Sequence, residues 1–414
     1  MAELLTGNAL VGQSGGCTAV INCSLAGVVQ EAARHAAIGR VFGMAYGIQG
    51  ALAGRLLDLG GEDPTIIQAL CGTPAAALGT CRYRLQPDDP ARAVALCQRH
   101  DVRYFFYIGG NDSADTSHRI ALAAEAAGYP LRVIGIPKTI DNDLPITDHC
   151  PGYGSIARFV AEATLDAGRD TEANRYVDPI KIMEVMGRNA GWVAAACALG
   201  KRSDEDAPHL VYFPERPLSV PRFLDDVKAA YDRLGFAVIV ITETMRDERG
   251  QPLAEEGATV ADAFGHSRLV GAANRLVNLI QDRLGLRARY DKPGTIQRSL
   301  MAAASPVDLE EAYLVGQMAV RYAVAGEHDQ MVTLVREPGP AYRCRTDLAP
   351  LAAIANQEKK LPADFINDAG NGVTDAFRAY ALPLLGPPLP TYPRLTRAVE
   401  DGGHEPQISA DERR

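Results

Sequence analysis

The chain has 414 residues, 47% of them hydrophobic and 22% charged, so it is long enough for two or three packed units and too apolar to be disordered throughout. Acidic residues number 51 against 42 basic ones, a net charge of −9, which argues against a nucleic-acid binder while allowing a local basic pocket for a small anion. No run approaches the roughly 18 consecutive apolar residues of a membrane span. Residues 1–12 lack a basic region followed by an apolar one, so no secretory leader is expected. The eight cysteines form no CxxC pair, which predicts reduced, mostly buried thiols and a cytoplasmic setting. The eight histidines show no HxxxH or HExxH spacing, so no zinc site is expected.

Strand-length apolar runs alternate with segments of helical period along the chain. Residues 9–11 read as a strand running into Gly12, and residues 19–37 as a helix. Residues 104–108 (YFFYI) form an aromatic and β-branched strand that stops at Gly109 and Gly110. A helix is predicted from an N-cap at Ser113 to residue 127, then a strand over 131–136 closed by Pro137. A helix over 155–171, a strand over 180–185 and a helix over 189–199 follow, and FAVIVI at 236–241 is the most strand-like run in the chain. Uninterrupted apolar strands belong to parallel sheets covered on both faces, so the fold class is α/β, doubly wound. No internal repeat is visible. The loop 137–154, rich in Pro, Gly, Asp and Thr, is the natural boundary, and residues 382–414, Pro-rich and then polar, are expected to lie over the surface or fray.

Ligands of open parallel sheets bind beyond the carboxyl ends of the strands, and four such loops are chemically unusual. Gly12-Gln13-Ser14-Gly15-Gly16 could bring backbone N–H groups to a phosphate, or could be a plain tight turn; it is neither GxGxxG nor GxxxxGK[ST], so a dinucleotide fold and a P-loop are not supported. Gly109-Gly110-Asn111-Asp112-Ser113 offers two adjacent oxygen ligands for Mg²⁺ beside a phosphate, or is an ordinary βα turn with Asp112 favouring the helix start. Residues 137–143 (PKTIDND) put one cation, two carboxylates and a hydroxyl into one short loop, the parts that phosphoryl transfer requires. Met186-Gly187-Arg188 supplies a planar guanidinium suited to phosphate.

Together these segments resemble the phosphofructokinase family, and more closely its pyrophosphate-dependent branch. GQSGG at 12–16, GTCR at 79–82, GGNDS at 109–113, PKTIDND at 137–143, MGR at 186–188, ITE at 241–243 and TIQR at 295–298 run in the family's order across about 300 residues. The resemblance implies two similar doubly wound parallel-sheet domains with the active site in the cleft between them. Residues 1–152 would bind pyrophosphate and Mg²⁺ and carry the catalytic loop, residues 153–305 would bind sugar phosphate, and residues 306–414 would pack across both. It implies Asp141 as the base that takes the proton of the 1-hydroxyl of fructose 6-phosphate, with Thr139, Ile140 and Asp143 in the same loop. Gly12 would offer its N–H to pyrophosphate and Arg82 would neutralise it. Met186, Gly187, Arg188, Glu243, Thr295, Ile296, Gln297 and Arg298 would hold the sugar phosphate, Arg188 also near the transferred group. Arg298 would reach the 6-phosphate across a subunit interface, implying a homodimer or homotetramer.

Donor choice falls on two positions where ATP-using relatives have glycine, Asp112 and Lys138. Asp112 would stand near an ATP α-phosphate. Two like charges about 4 Å apart at an effective dielectric near 20 repel by about 4 kcal/mol, roughly a thousandfold in affinity. Lys138 would give pyrophosphate a compact positive charge. The implied reaction is therefore reversible phosphoryl transfer from pyrophosphate. An ATP-dependent phosphofructokinase is the alternative that these two residues oppose; a non-catalytic regulatory paralogue should have lost Thr139, Asp141 or Asp143. Three positions depart from the family pattern. Asn111 stands where Asp is frequent, as a metal ligand through its carbonyl or a water. Pro179 stands where Arg is common, with Arg175 a candidate replacement, and Ser299-Leu300 follow QR where Gly-Gly is frequent.

Overall fold

The structure, a computed structural model, describes residues 5–253, 259–261, 267–269, 271–339 and 341–395. Strands β1 (Gly7–Gln13), β2 (Ile38–Met44), β3 (Leu56–Asp58), β4 (Val102–Gly109) and β5 (Arg132–Pro137) build most of one sheet. A second sheet contains β6 (Ile180–Val185), β7 (Leu210–Val211) and β8 (Ala237–Thr242). The short strands β9 (Thr259–Ala261) and β10 (Ser267–Leu269) pair antiparallel, β11 (Ala288–Asp291) joins the second sheet, and β12 (Gln330–Arg336) and β13 (Cys344–Pro350) return to the first. The orders are β13-β12-β5-β4-β1-β2-β3 in the seven-stranded sheet and β11-β6-β8-β7 in the four-stranded one. All pairings are parallel except those of the edge strands β3 and β13 and the β9–β10 ribbon.

The uninterrupted apolar strands fold as expected because each face of each sheet is covered. In β4, Phe105 and Tyr107 enter one core while Tyr104, Phe106 and Ile108 enter another on the opposite face. In β8, Val238 and Val240 point to one core and Ala237, Ile239 and Ile241 to a second. Each fully buried large side chain contributes about 1.5–3 kcal/mol relative to exposure.

Several predicted boundaries shift for local reasons. The helix expected over 19–37 spans Ile21–Ala32, and Thr18 Oγ1 accepts the N–H of Ile21 at 3.0 Å. The helix expected to start at Ser113 spans Asn111–Ala126 with Gly110 before it, which brings Asn111 and Asp112 into its first turn. The helix expected over 189–199 is shorter, Trp192–Ala196 followed by a 3₁₀ turn Cys197–Gly200, because Gly187 and Arg188 both have positive φ and start a loop. The long helix Tyr153–Ala173 has no side-chain cap of its own. Asp308 caps it from outside, accepting the N–H of Gly152 and of Ser155, each at 2.8 Å.

The residues after 305 serve both sheets. Helix Pro306–Ala325 lies along Ile21–Ala32 at a distance only glycine permits: a Cβ on Gly27 would sit 2.3 Å from the Tyr313 carbonyl oxygen, and one on Gly316 2.2 Å from that of Ser24. β12 then pairs with β5 in the first sheet. Farther on, Leu361, Ile366, Phe377, Leu384 and Leu385 join the core that holds Trp192, Val238 and Val240. Residues 396–414 of the expected surface tail lie outside the described residues. All eight cysteines are free, and no helix among the described residues is long and apolar enough to cross a membrane.

Candidate active site

Five parallel strands end at one cavity with about 720 Å³ of space between its walls. β1 leads to Gly15, Gly16 and Cys17, β4 to Asn111 and Asp112, and β5 to the run from Lys138 to Asp143; all of these but the inward-turned Asn142 line the cavity. From the second sheet, β6 delivers Met186 and Arg188 and β8 delivers Glu243. Gly110, Ser113, Arg82 and Arg298 complete the lining. Four cations and four carboxylates thus face one space, although Lys138 lies 48 residues before Met186 in the chain, and more than 150 before Arg298.

The centre of the site is the loop after β5. Lys138 is buried, and its ammonium donates to the carbonyl oxygens of Ser14 at 2.7 Å and Gly16 at 2.8 Å. Burial lowers its pKa to about 8, helped by the nearby guanidinium groups of Arg298 and Arg82. Thr139 Oγ1 accepts the N–H of Asp141 at 3.1 Å, which tightens the turn. Asn142 adopts a left-handed φ of 53° and turns inward. Its Oδ1 accepts the N–H of Cys150 at 3.0 Å and its Nδ2 donates to the Tyr380 hydroxyl at 2.9 Å, leaving the flanking carboxylates toward the cavity. Burial raises Asp141 to about 6; Arg188 opposes the shift, whereas Glu243 and Glu358 add to it. Burial raises Asp143 to about 7, with Asp141 the next cause. Asp141 and Asp143, both raised by burial, face the same space as Lys138 and the guanidinium groups of Arg82, Arg188 and Arg298, so a proton acceptor and phosphate-binding cations meet in one cavity.

Five expected site residues do not line this cavity. Gly12 lies inside β1, where a Cβ would meet Met44 Sδ at 2.8 Å and Tyr107 Cε2 at 2.9 Å, so glycine there serves sheet packing. The glycines of this first loop that line the cavity are Gly15 and Gly16; Gly15 has φ +76°, and its Cβ position is 3.3 Å from the Lys138 ammonium. Gly187 shapes the turn before Arg188 with φ +151°. Thr295 and Ile296 are exposed on the 3₁₀ turn Gly294–Arg298. Gln297 is buried and acts from behind, its Oε1 accepting the N–H of Met186 at 3.1 Å. Arg298 lines the cavity of its own chain: its Nη1 is 2.9 Å from where a Gly16 Cβ would be, and its carbonyl accepts the N–H of Ala19. Arg298 thus stands at the cavity where the resemblance places a sugar-phosphate contact. Arg175 is elsewhere, stacked over Tyr176 in a shallow depression with Val177 and Pro179. Sequence reasoning also missed Cys17 at the cavity and Glu358, whose charge adds to the shift of Asp141; no motif marks either.

The donor set suits Mg²⁺ in its usual manner of binding, through one or two protein oxygens plus substrate phosphates and water. Asp112 offers a carboxylate at the cavity. The Asn111 carboxamide oxygen already accepts the N–H of Asp112 at 2.7 Å, and its Nδ2 donates to the Gln357 carbonyl at 3.3 Å, so one lone pair is left for an ion or its water. Among the described residues, the trio of His, Cys, Asp or Glu side chains close enough to share an ion by themselves is His149, Glu311 and Cys344, away from Asp112.

A cleft that sets paired carboxylates against four cations at the ends of parallel strands is that of a phosphoryl-transfer enzyme. Residues 8–323 match the phosphofructokinase family, to which this chain belongs. It is 42% identical over 385 residues to the pyrophosphate–fructose 6-phosphate 1-phosphotransferase of Halomonas elongata, covering 91% of each. With its counterpart from Xanthomonas campestris it is 40% identical over 388 residues, 92% of each. A crystal structure of a pyrophosphate-dependent phosphofructokinase from Marinobacter aquaeolei superposes with a TM-score of 0.84 at 39% identity, covering 94% of both chains.

Proposed function

We propose that the chain transfers a phosphoryl group reversibly from pyrophosphate to the 1-hydroxyl of D-fructose 6-phosphate, giving fructose 1,6-bisphosphate and phosphate. The observation that carries this reading is the meeting of Asp112, Lys138 and Asp141 in one cavity. Asp141 accepts the proton of the attacking hydroxyl, and Thr139 holds the turn that aims it. Lys138, Arg82 and the N–H groups near Gly15 take the pyrophosphate, and Lys138 offsets the charge that builds on the leaving phosphate. Asp112 excludes the α-phosphate of ATP and, with Asn111, holds Mg²⁺, which when bound neutralises the phosphate oxygens. Met186, Arg188, Glu243 and Arg298 hold the sugar phosphate, with Gly187 and Gln297 shaping their loops.

The donor site belongs to residues 1–152, the sugar-phosphate site to residues 153–305, and residues 306–414 join the two. The enzyme acts in the cytoplasm as a homo-oligomer. Fructose 1,6-bisphosphate formation with pyrophosphate and with ATP tests the reading. Turnover should require pyrophosphate and Mg²⁺, and equal kcat/KM with ATP would overturn it.

A further inference from the structure

Residues 356–361 run from the loop of Asn111, past the loop after β5, to the segment that follows Arg188. On the first-sheet side, Asn356 Nδ2 donates to Asp115 Oδ1 at 3.0 Å, and the Gln357 carbonyl accepts from Asn111. On the second-sheet side, the Lys360 ammonium donates to the Asn189 carbonyl at 2.7 Å, next to Arg188. The Leu361 N–H donates to Glu215 Oε1 at 2.9 Å, which also accepts the N–H of Gly191 at 2.8 Å. Between these anchors, the Lys359 N–H donates to the Asp143 carbonyl at 2.6 Å and the Lys359 carbonyl accepts from Trp192 Nε1 at 3.1 Å.

The Lys359 side chain reaches inward along the same path. Its ammonium donates to the carbonyl oxygens of Thr147 at 3.0 Å and Asp148 at 2.8 Å, and lies 5.2 Å from the centroid of the Trp192 ring. One lysine thus holds three carbonyls of the irregular stretch that follows Asp141: Asp143 through its N–H, Thr147 and Asp148 through its ammonium. A buried ammonium is costly unless its donors are used, so these bonds favour a single loop position. Misplacing a reacting group by about 1 Å costs on the order of a hundredfold in rate.

We infer that Lys359 is a positioning residue that fixes the place of Asp141 and Asp143, and that residues 356–361 set the spacing between the loop of Asn111 and the loop of Arg188. The inference rests on Asp141 acting as the base. It is tested with Lys359→Met and Lys359→Arg, measuring kcat, the KM of both substrates and the thermal midpoint. The Met variant should lose at least thirtyfold in kcat with both KM values within threefold of wild type, and Arg, which restores the donors, should recover a third or more of the kcat. A Met variant above half the wild-type kcat, or one whose loss lies in KM, overturns the inference. If the Met variant does not fold, hydrogen exchange of the wild-type chain decides. The amides of Lys359 and Asp141 should be protected together and slow together on adding pyrophosphate; a Lys359 amide that exchanges within seconds beside a protected Asp141 refutes the role. A wild type that fails to turn over pyrophosphate would refute the proposed function instead, leaving the exchange result to judge the positioning role.

Discussion

At the scale of single residues, the loop after β5 holds two buried carboxylates whose proposed role in catalysis and whose effect on stability can be tested separately. Asp141→Asn should lower kcat by about 10²–10⁴-fold with little change in the KM for fructose 6-phosphate; steady-state kinetics retaining over a tenth of the wild-type kcat would remove Asp141 as base. Because burial holds Asp141 near 6, kcat in the direction of fructose 1,6-bisphosphate should fall as pH drops through about 6, where the base becomes protonated. The stability effect has the opposite sense. Asp143 binds its proton more tightly folded (pKa about 7) than a free aspartate does (3.8), so its contribution is fully present below about 4 and lost as pH rises through about 7. Asp143→Asn should therefore match the wild-type melting temperature at pH 4 and exceed it at pH 8. A lower midpoint at pH 8 would show that Asp143 is not under this strain. Donor choice is tested by Asp112→Gly and Lys138→Gly, singly and together. The first should raise the ratio of ATP to pyrophosphate kcat/KM, the second should cut kcat with pyrophosphate by about 10²-fold, and the effects should not add, since both residues face one small space. A ratio unchanged within twofold in Asp112→Gly would remove Asp112 as the discriminator.

At the scale of elements, much depends on supports outside the element itself. Asp308 caps the Tyr153–Ala173 helix from another helix, and Asp308→Ala should strand the N–H groups of Gly152 and Ser155 at a cost of about 1–3 kcal/mol. The reading is a lower denaturation midpoint with unchanged m-value; no change would mean water replaces the carboxylate. Such tertiary supports explain what was and was not legible in the sequence. PKTIDND, MGR and the FAVIVI run are local signals: apolar strands that need cover on both faces, followed by loops whose chemistry sits within a few residues. They led to the fold class and to the cavity-lining residues from Lys138 to Asp143. Gly12 is ambiguous in the sequence because glycine next to a strand end reads alike whether it serves a phosphate or Tyr107 packing; in the structure the φ of +76° marks Gly15 at the cavity. Arg298 was legible only through the TIQR motif, because an arginine 160 residues beyond Lys138 carries no local signal of the cavity it lines. Lys359 was invisible, a lysine in a polar stretch whose ammonium bonds carbonyls over 200 residues earlier.

At the scale of the whole molecule, the two sheets are not independent. The family match ends at residue 323, yet β12 occupies the position beside β5, with Val332 and Leu334 fully buried. A chain truncated after residue 326 should fail to give a cooperative thermal transition by circular dichroism, because the first sheet loses two strands and the second loses the Phe377 and Leu384 part of its core. A soluble, cooperatively melting fragment would show that the first sheet closes without them.

The late arrival of β12 also has a consequence for how the chain emerges from the ribosome. β5 is complete at Pro137, and the strand that covers its free edge begins at Gln330, almost 200 residues later. At about 5–20 residues per second, translation leaves that edge bare for roughly 10–40 s. An uncovered parallel edge is a template for wrong pairing, so nascent chains stalled between these two strands should be the species that chaperones capture and that aggregates when they are scarce. Synonymous codons that slow elongation between residues 137 and 330 should lower soluble yield, while the same delay placed after residue 350 should leave it unchanged.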